Sequence, residues 1–169
     1  MCELGSIKQE RGSVISVKVL GCLGLIDEGE ADWKVLTINV NDPLANKLND
    51  LNDLNSEMPG ILDATRDWFR IYKVPDGKPT NKFANDGQYF DRGFALDLIK
   101  HAHKAWFSLS NQASNEKISL VNTRLSNKHT ITNEHALNIL EEQKRSLKDY
   151  EKKPFVEKVH YIERSKLVD

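Results

Sequence analysis

Asp27-Glu28-Gly29-Glu30-Ala31-Asp32-Trp33-Lys34 sets four carboxylates and one ammonium around a single glycine. Strand alternation carries Asp32 and Lys34 to one side and Trp33 to the other. Leu36, Ile38 and Val40 share the side of Asp32 and Lys34. The polar pair therefore sits at one end of an otherwise apolar face, like side chains at the mouth of a barrel. Asp27 ends the preceding strand and can turn toward the same mouth across the Gly29 bend. Two carboxylates and an ammonium converging there suit a hard metal ion bound together with a phosphate. Mg²⁺ takes one or two protein carboxylates and completes its shell with water and phosphate oxygens. Lys34 would offset phosphate charge as a point cation. A plain charged turn, its Asp and Lys in a surface ion pair, has the same spacing, and on spacing alone it is the favoured account.

A second cluster lies in Arg70-Ile71-Tyr72-Lys73-Val74-Pro75-Asp76-Gly77-Lys78-Pro79. Tyr72 offers a phenolic donor and Lys73 a cation, adjacent at the C-terminus of an expected helix. Basic residues there also complement a helix dipole, and a tyrosine can simply be core. Taken alone, that account is again favoured.

The elements that must position these groups begin as β structure. Ile15, Val17 and Val19 alternate with Ser16 and Lys18, the period of a half-buried strand. Gly21 and Gly24 punctuate a second apolar stretch, Cys22 to Ile26, and a third strand runs from Trp33 to Val40. Three strands with short connections predict an antiparallel meander or part of a barrel. The Asn- and Asp-rich stretch 41–58 lacks the central glycine of an EF-hand loop and reads as a capped loop with one helical turn. Pro59 opens a helix whose face is Ile61, Thr65, Trp68 and Tyr72, ended by Pro75-Asp76-Gly77. A second helix spans about Asp91 to Phe107, with a stripe of Phe94, Ala95, Leu98, Ile99, Ala102, Ala105 and Trp106. Thr132 or Asn133 caps a third through Tyr150, with Ala136, Leu140, Gln143 and Leu147 in line. The tail from Pro154 to Asp169 is charged.

The 169 residues carry 24 Lys+Arg against 25 Asp+Glu, a formal net charge of -1. Such a balance supplies no general attraction for nucleic acid or an anionic membrane, so any anion must be held by a local site. At 39% hydrophobic and 29% charged, the composition fits one compact domain. No apolar run reaches the length of a membrane span, and the polar N-terminus lacks the apolar core of a signal peptide, which makes the cytoplasm the expected location. Cys2 and Cys22 read as two reduced thiols.

Order and wording add what spacing does not. Asp-Glu-Gly-Glu-Ala-Asp-Trp-Lys, then Asn-Asp-Pro-Leu, then Asp-Trp-Phe-Arg-Ile-Tyr-Lys-Val-Pro-Asp-Gly-Lys-Pro closely resembles the eukaryotic type of soluble, family I inorganic pyrophosphatase. So do Cys2-Glu3-Leu4-Gly5, Val17-Lys18-Val19-Leu20-Gly21 and Phe94-Ala95-Leu96-Asp97-Leu98-Ile99-Lys100 with Trp106. The resemblance runs from residue 2 to about Trp106 and more weakly to about Leu125, leaving 126–169 as a divergent helical and charged tail. It implies a mainly β chain with flanking helices (α+β), in which part of an oligonucleotide-binding-like barrel is followed by C-terminal helices. It also implies hydrolysis of inorganic diphosphate with Mg²⁺, in a family whose members commonly form homodimers. By position, Asp27 and Asp32 match metal-ligand carboxylates, and Lys34, Tyr72 and Lys73 match phosphate-binding groups. Clustered divalent ions polarise phosphoryl oxygens, while lysines and a tyrosine stabilise the leaving phosphate.

The family's Asp-x-Asp-Pro-x-Asp run would fall just ahead of the position matching Met1, and Asn41-Asp42-Pro43 occupies a different family position. The expectation is therefore that this chain alone hydrolyses diphosphate weakly or not at all. Two other readings stand beside it. One is a catalytically inactive derivative kept as an interaction or binding module. The other is an oligonucleotide-binding domain, disfavoured by neutral charge and the lack of aromatic–basic interleaving.

Overall fold

The computed structural model describes residues 1–10, 12–27, 29–112 and 118–146, with residues 145 and 146 described by backbone alone. They fall into two compact units, one of Met1–Lys100 and one that begins at His101. The candidate site residues all belong to the first.

That unit is organised on a long hairpin of β2 (Val17–Asp27) and β3 (Glu30–Asn39). The strands pair antiparallel from Asp27↔Glu30 to Val17↔Asn39, with a bulge between Val19 and Gly21. Gly29 closes the turn at φ +90°, a left-handed conformation that a glycine adopts without a Cβ penalty. The two strands expected on either side of Gly21 are thus one. Gly21 does not end a strand; it makes room beside it. A Cβ there would lie 2.6 Å from Leu51 Cδ2 and 2.7 Å from the Phe90 carbonyl oxygen, so only glycine lets a helix and another strand approach this closely.

Short strands complete a mixed sheet in the order β1-β3-β2-β4. The first, β1 (Cys2–Glu3), runs parallel to β3 opposite Leu36 and Thr37. Both β4 (Lys82–Phe83) and β5 (Tyr89–Phe90) run antiparallel to β2. The sheet is open, in keeping with part of a barrel. Among the described residues, no strand pairs with the outer edge of β3 from Glu30 to Val35.

In the 41–58 stretch Asp42, Asp50 and Asp53 accept from backbone N–H groups, and Glu57 pairs with Lys47. Asp42 accepts from the N–H groups of Leu44 and Ser6 at 2.9 and 2.7 Å, and these bonds hold its carboxyl below the usual carboxylate range. Asp50 caps α1 (Leu51–Glu57), accepting from the N–H groups of Asn52 and Asp53. Leu48 and Leu54 are buried with Leu20, Leu36 and Ile38, one of two cores. The other is Leu23, Leu25 and Phe69. Val40, expected on the buried face, is exposed just past the end of β3.

Gly60, and not Pro59, holds the N-cap position of α2 (Ile61–Ile71). Its buried face is Leu62, Thr65 and Phe69, one position round from the expected one. Trp68 is 56% exposed because its ring lies flat on Tyr72, with centroids 4.8 Å apart, instead of entering the core. Asp91 accepts from the Phe94 N–H at 2.8 Å and starts α3 (Arg92–Ser110). Helix α3 forms as expected, but its stripe is not covered: Ala95 is buried, while Phe94, Ile99 and Trp106 are exposed. In the second unit, Thr132 Oγ1 accepts from the His135 N–H at 3.1 Å and caps α4 (Asn133–Ser146). Ala136 and Ile139 are half-buried, whereas the expected Leu140 is exposed. Leu147, Tyr150 and the 154–169 tail lie outside the described residues. Among the described residues, no helix is long and apolar enough to cross a membrane.

Candidate functional site

Hairpin register decides which side chains share a face. Leu23, Leu25 and Asp27 alternate along β2, and Lys34 and Asp32 stand opposite Leu23 and Leu25. Leu23 and Leu25 pack on Phe69 of α2, so the apolar part of this face is covered by helix and its polar end is left open. Asp27, Asp32 and Lys34 occupy that end. Trp33 points to the opposite face and contacts Phe90 and Phe94, with ring centroids 5.3 and 5.1 Å away.

Lys34 is the most enclosed of the charged groups, its side chain 19% exposed. Its Nζ donates to Asp32 Oδ2 at 2.5 Å and sits 5.6 Å from the Phe69 ring centroid. The ring of Phe69 meets Tyr72 edge-on at 5.9 Å. Tyr72 caps the C-terminus of α2, which brings Lys73 back over the hairpin turn. Lys73 Nζ donates to both oxygens of Asp27, at 3.0 and 3.1 Å, and lies 5.7 Å from the Tyr72 ring centroid. The hydrogen bond to Asp27 holds the Lys73 ammonium above the usual lysine value.

All five residues singled out from the sequence thus join one chain of contacts, closed through Phe69. Both carboxylates already carry an ammonium partner, so the favoured simple account of the turn, an Asp–Lys pair, describes Asp32 and Lys34 as they stand. Two hollows open here, and Asp27 borders both. One, of about 500 Å³, is lined by Asp27, Glu30, Ala31 and Asp32. The other, of about 650 Å³, runs from Asp27 along Tyr72 and Lys73 to Lys78 and Lys82. Sequence reasoning missed Glu30 as a wall of the first hollow and Phe69 as the floor under Lys34. Phe69 could have been found, since it lies three residues before Tyr72 on a helix. Lys82 carries no such signal, because only the pairing of β4 with β2 at Ile26 brings it in.

The oxygen donors suit a hard divalent ion: three carboxylates, of Asp27, Glu30 and Asp32, border the smaller hollow, beside a groove with room for phosphate. Among the described residues, no three Asp, Glu, His or Cys side chains come together closely enough to hold a metal ion by themselves.

Known proteins share this hairpin and its surroundings. The chain is 54% identical over 127 residues to human inorganic pyrophosphatase, covering 75% of this chain and 44% of that protein. The structure of inorganic pyrophosphatase from Schistosoma japonicum matches with a TM-score of 0.70 at 52% identity, over 73% of this chain and 44% of that one. An N-terminally truncated vacuolar soluble pyrophosphatase from Trypanosoma cruzi, solved in complex with PPi, matches with a TM-score of 0.62 at 44% identity, over 63% of this chain and 41% of that one. The chain thus spans less than half the length of these relatives. The family model for inorganic pyrophosphatase matches residues 1–107, which include the hairpin, α2 and both lysine–aspartate pairs. By that match, and by the identity around it, the chain belongs to the inorganic pyrophosphatase family.

Proposed function

We propose that the chain supplies one wall of a diphosphate-hydrolysing site: the wall that binds phosphate and lends two carboxylates to Mg²⁺. The reading is carried by the convergence of Asp27–Lys73 and Asp32–Lys34 on one open end of the hairpin, in a family named for this substrate. Lys34 and Lys73 would turn from their aspartates toward phosphate oxygens as those aspartates engage the metal. Each exchange keeps the local charge balanced, so substrate and ion enter together. Tyr72, stacked on Trp68 and met edge-on by Phe69, holds its phenol in place as a donor to the same anion. Bound divalent ions would withdraw electron density from the phosphoryl group and activate the attacking water. Residues 1–125 form this part in our reading, with 126–169 as a divergent tail. A homodimeric partner follows from the resemblance alone, and a cytoplasmic location is our reading of the sequence and not of the resemblance.

Two carboxylates are few for a full metal cluster, so binding should outlast turnover. Isothermal titration of diphosphate with Mg²⁺ is expected to show binding that is lost without Mg²⁺ and weakened roughly tenfold in Lys34→Met or Lys73→Met. Phosphate release by the same preparation is expected near background. Turnover comparable to a full-length relative would overturn the single-wall reading. Failure to bind diphosphate with Mg²⁺ would leave an interaction module as the better account.

A further inference from the structure

The groove does not stop at Lys73. It continues past Lys78 and Lys82, so that three lysines face two carboxylates, Asp27 and Asp76, along its length. Lys73 is matched by Asp27, while neither Lys78 nor Lys82 takes part in any of the ion pairs among the described residues. Both side chains are exposed, so their charges are presented to solvent at no burial cost.

The segment carrying them is fastened on both sides. Gly77, at φ +77°, reverses the chain after Lys73, and the Lys78 N–H donates to the Lys73 carbonyl at 3.3 Å. The Asn81 N–H donates to the Arg70 carbonyl at 2.8 Å, and Asn81 Nδ2 to the Phe69 carbonyl at 2.7 Å. Lys82 then pairs with Ile26, next to Asp27. Helix α2 and strand β2, which position Tyr72, Lys73 and Asp27, therefore also fix the spacing of Lys78 and Lys82 from them. A groove of about 650 Å³ is within the range that encloses ligands well above the size of diphosphate.

We propose that Lys78 and Lys82 form an outer anion position that takes the third phosphoryl group of a linear phosphoanhydride, so that the chain binds tripolyphosphate in preference to diphosphate. The inference rests on the diphosphate reading above and extends the same groove outward. Lys73 and Tyr72 hold the inner phosphoryl groups, and the two unpaired lysines hold the outer one. Because these lysines are exposed, their contribution is screened by salt more strongly than that of Lys34.

Calorimetric titrations of the chain with tripolyphosphate, diphosphate and orthophosphate, each with Mg²⁺, test this. Tripolyphosphate should bind roughly tenfold tighter than diphosphate, and Lys78→Gln/Lys82→Gln should remove most of that advantage with little effect on diphosphate. Unchanged circular dichroism and melting of the double variant would show that the fold is intact. Equal affinity for the two anions, no binding of tripolyphosphate, or an unchanged ratio in the double variant would overturn the inference. Orthophosphate added to diphosphate-saturated protein distinguishes a tethered group from a free anion. No further binding is expected, and saturable binding abolished by Lys78→Gln/Lys82→Gln would overturn the assignment to a chain anhydride. If diphosphate binding is absent while tripolyphosphate binding still depends on Lys78 and Lys82, the diphosphate reading fails and the outer position stands.

Discussion

Asp27 and Asp32 each face a lysine, but the two pairs differ in kind. Lys34 is two residues from Asp32 on the same strand, whereas Lys73 reaches Asp27 across 46 positions. The first pair can form in any extended segment; the second exists only when α2 is docked on the hairpin. Lys73 is accordingly held above the usual lysine value by its hydrogen bond to Asp27. A raised folded-state value means that the pair's stabilisation is fully present below the unfolded lysine value and is lost as pH rises through the folded one. In an NMR titration of the Lys73 side chain, the midpoint is expected above that of an exposed lysine and to fall in Asp27→Asn; a midpoint unmoved by that substitution contradicts the assignment. The alternation of Asp32, Trp33 and Lys34, with a glycine turn before them, made these residues legible in the sequence. Lys82 was not, because its place depends on how β4 pairs with β2, while the one signal for Phe69 was its helical spacing from Tyr72.

At the scale of elements, glycine misled where packing took over from local propensity. Gly21 and Gly24 look like strand breaks, yet β2 runs through both. The Gly21 position is filled by Leu51 and by the backbone of Phe90. Gly21→Ala forces one of them to shift, and we expect a loss of roughly 1–3 kcal/mol in urea unfolding. A loss below about 0.5 kcal/mol, typical of an ordinary surface change, would contradict this close approach. The helices show a related limit. Periodicity found α2, α3 and α4, but which residues face inward depended on the neighbours. Trp68 stays outside because its ring stacks on Tyr72. The stripe of α3 is largely uncovered because an apolar period records what a helix can bury, not what stands beside it.

For the whole molecule, burial concentrates in the first unit. Leu20, Leu23, Leu25, Leu36 and Ile38 are almost wholly buried, whereas Leu137 and Leu140 of the second are more than half exposed. Backbone opening should follow that gradient. Hydrogen exchange followed by mass spectrometry is expected to be slowest in the middle of β2 and β3 and fastest in α4; equal protection in both units would contradict it. The family was legible from long runs of wording around the hairpin and α2, whereas the short strands β4 and β5 were not, since two-residue strands are specified by their partner. The bare outer edge of β3 has a colloidal consequence. Unpaired N–H and C=O groups there offer a template for another chain, and Glu30, Asp32 and Lys34 are the charges that guard it. Asp32 and Lys34, which we propose for metal and phosphate binding, would thereby also keep neighbouring molecules apart. In concentrated solution, the first intermolecular β-pairing would begin where acid or salt silences them.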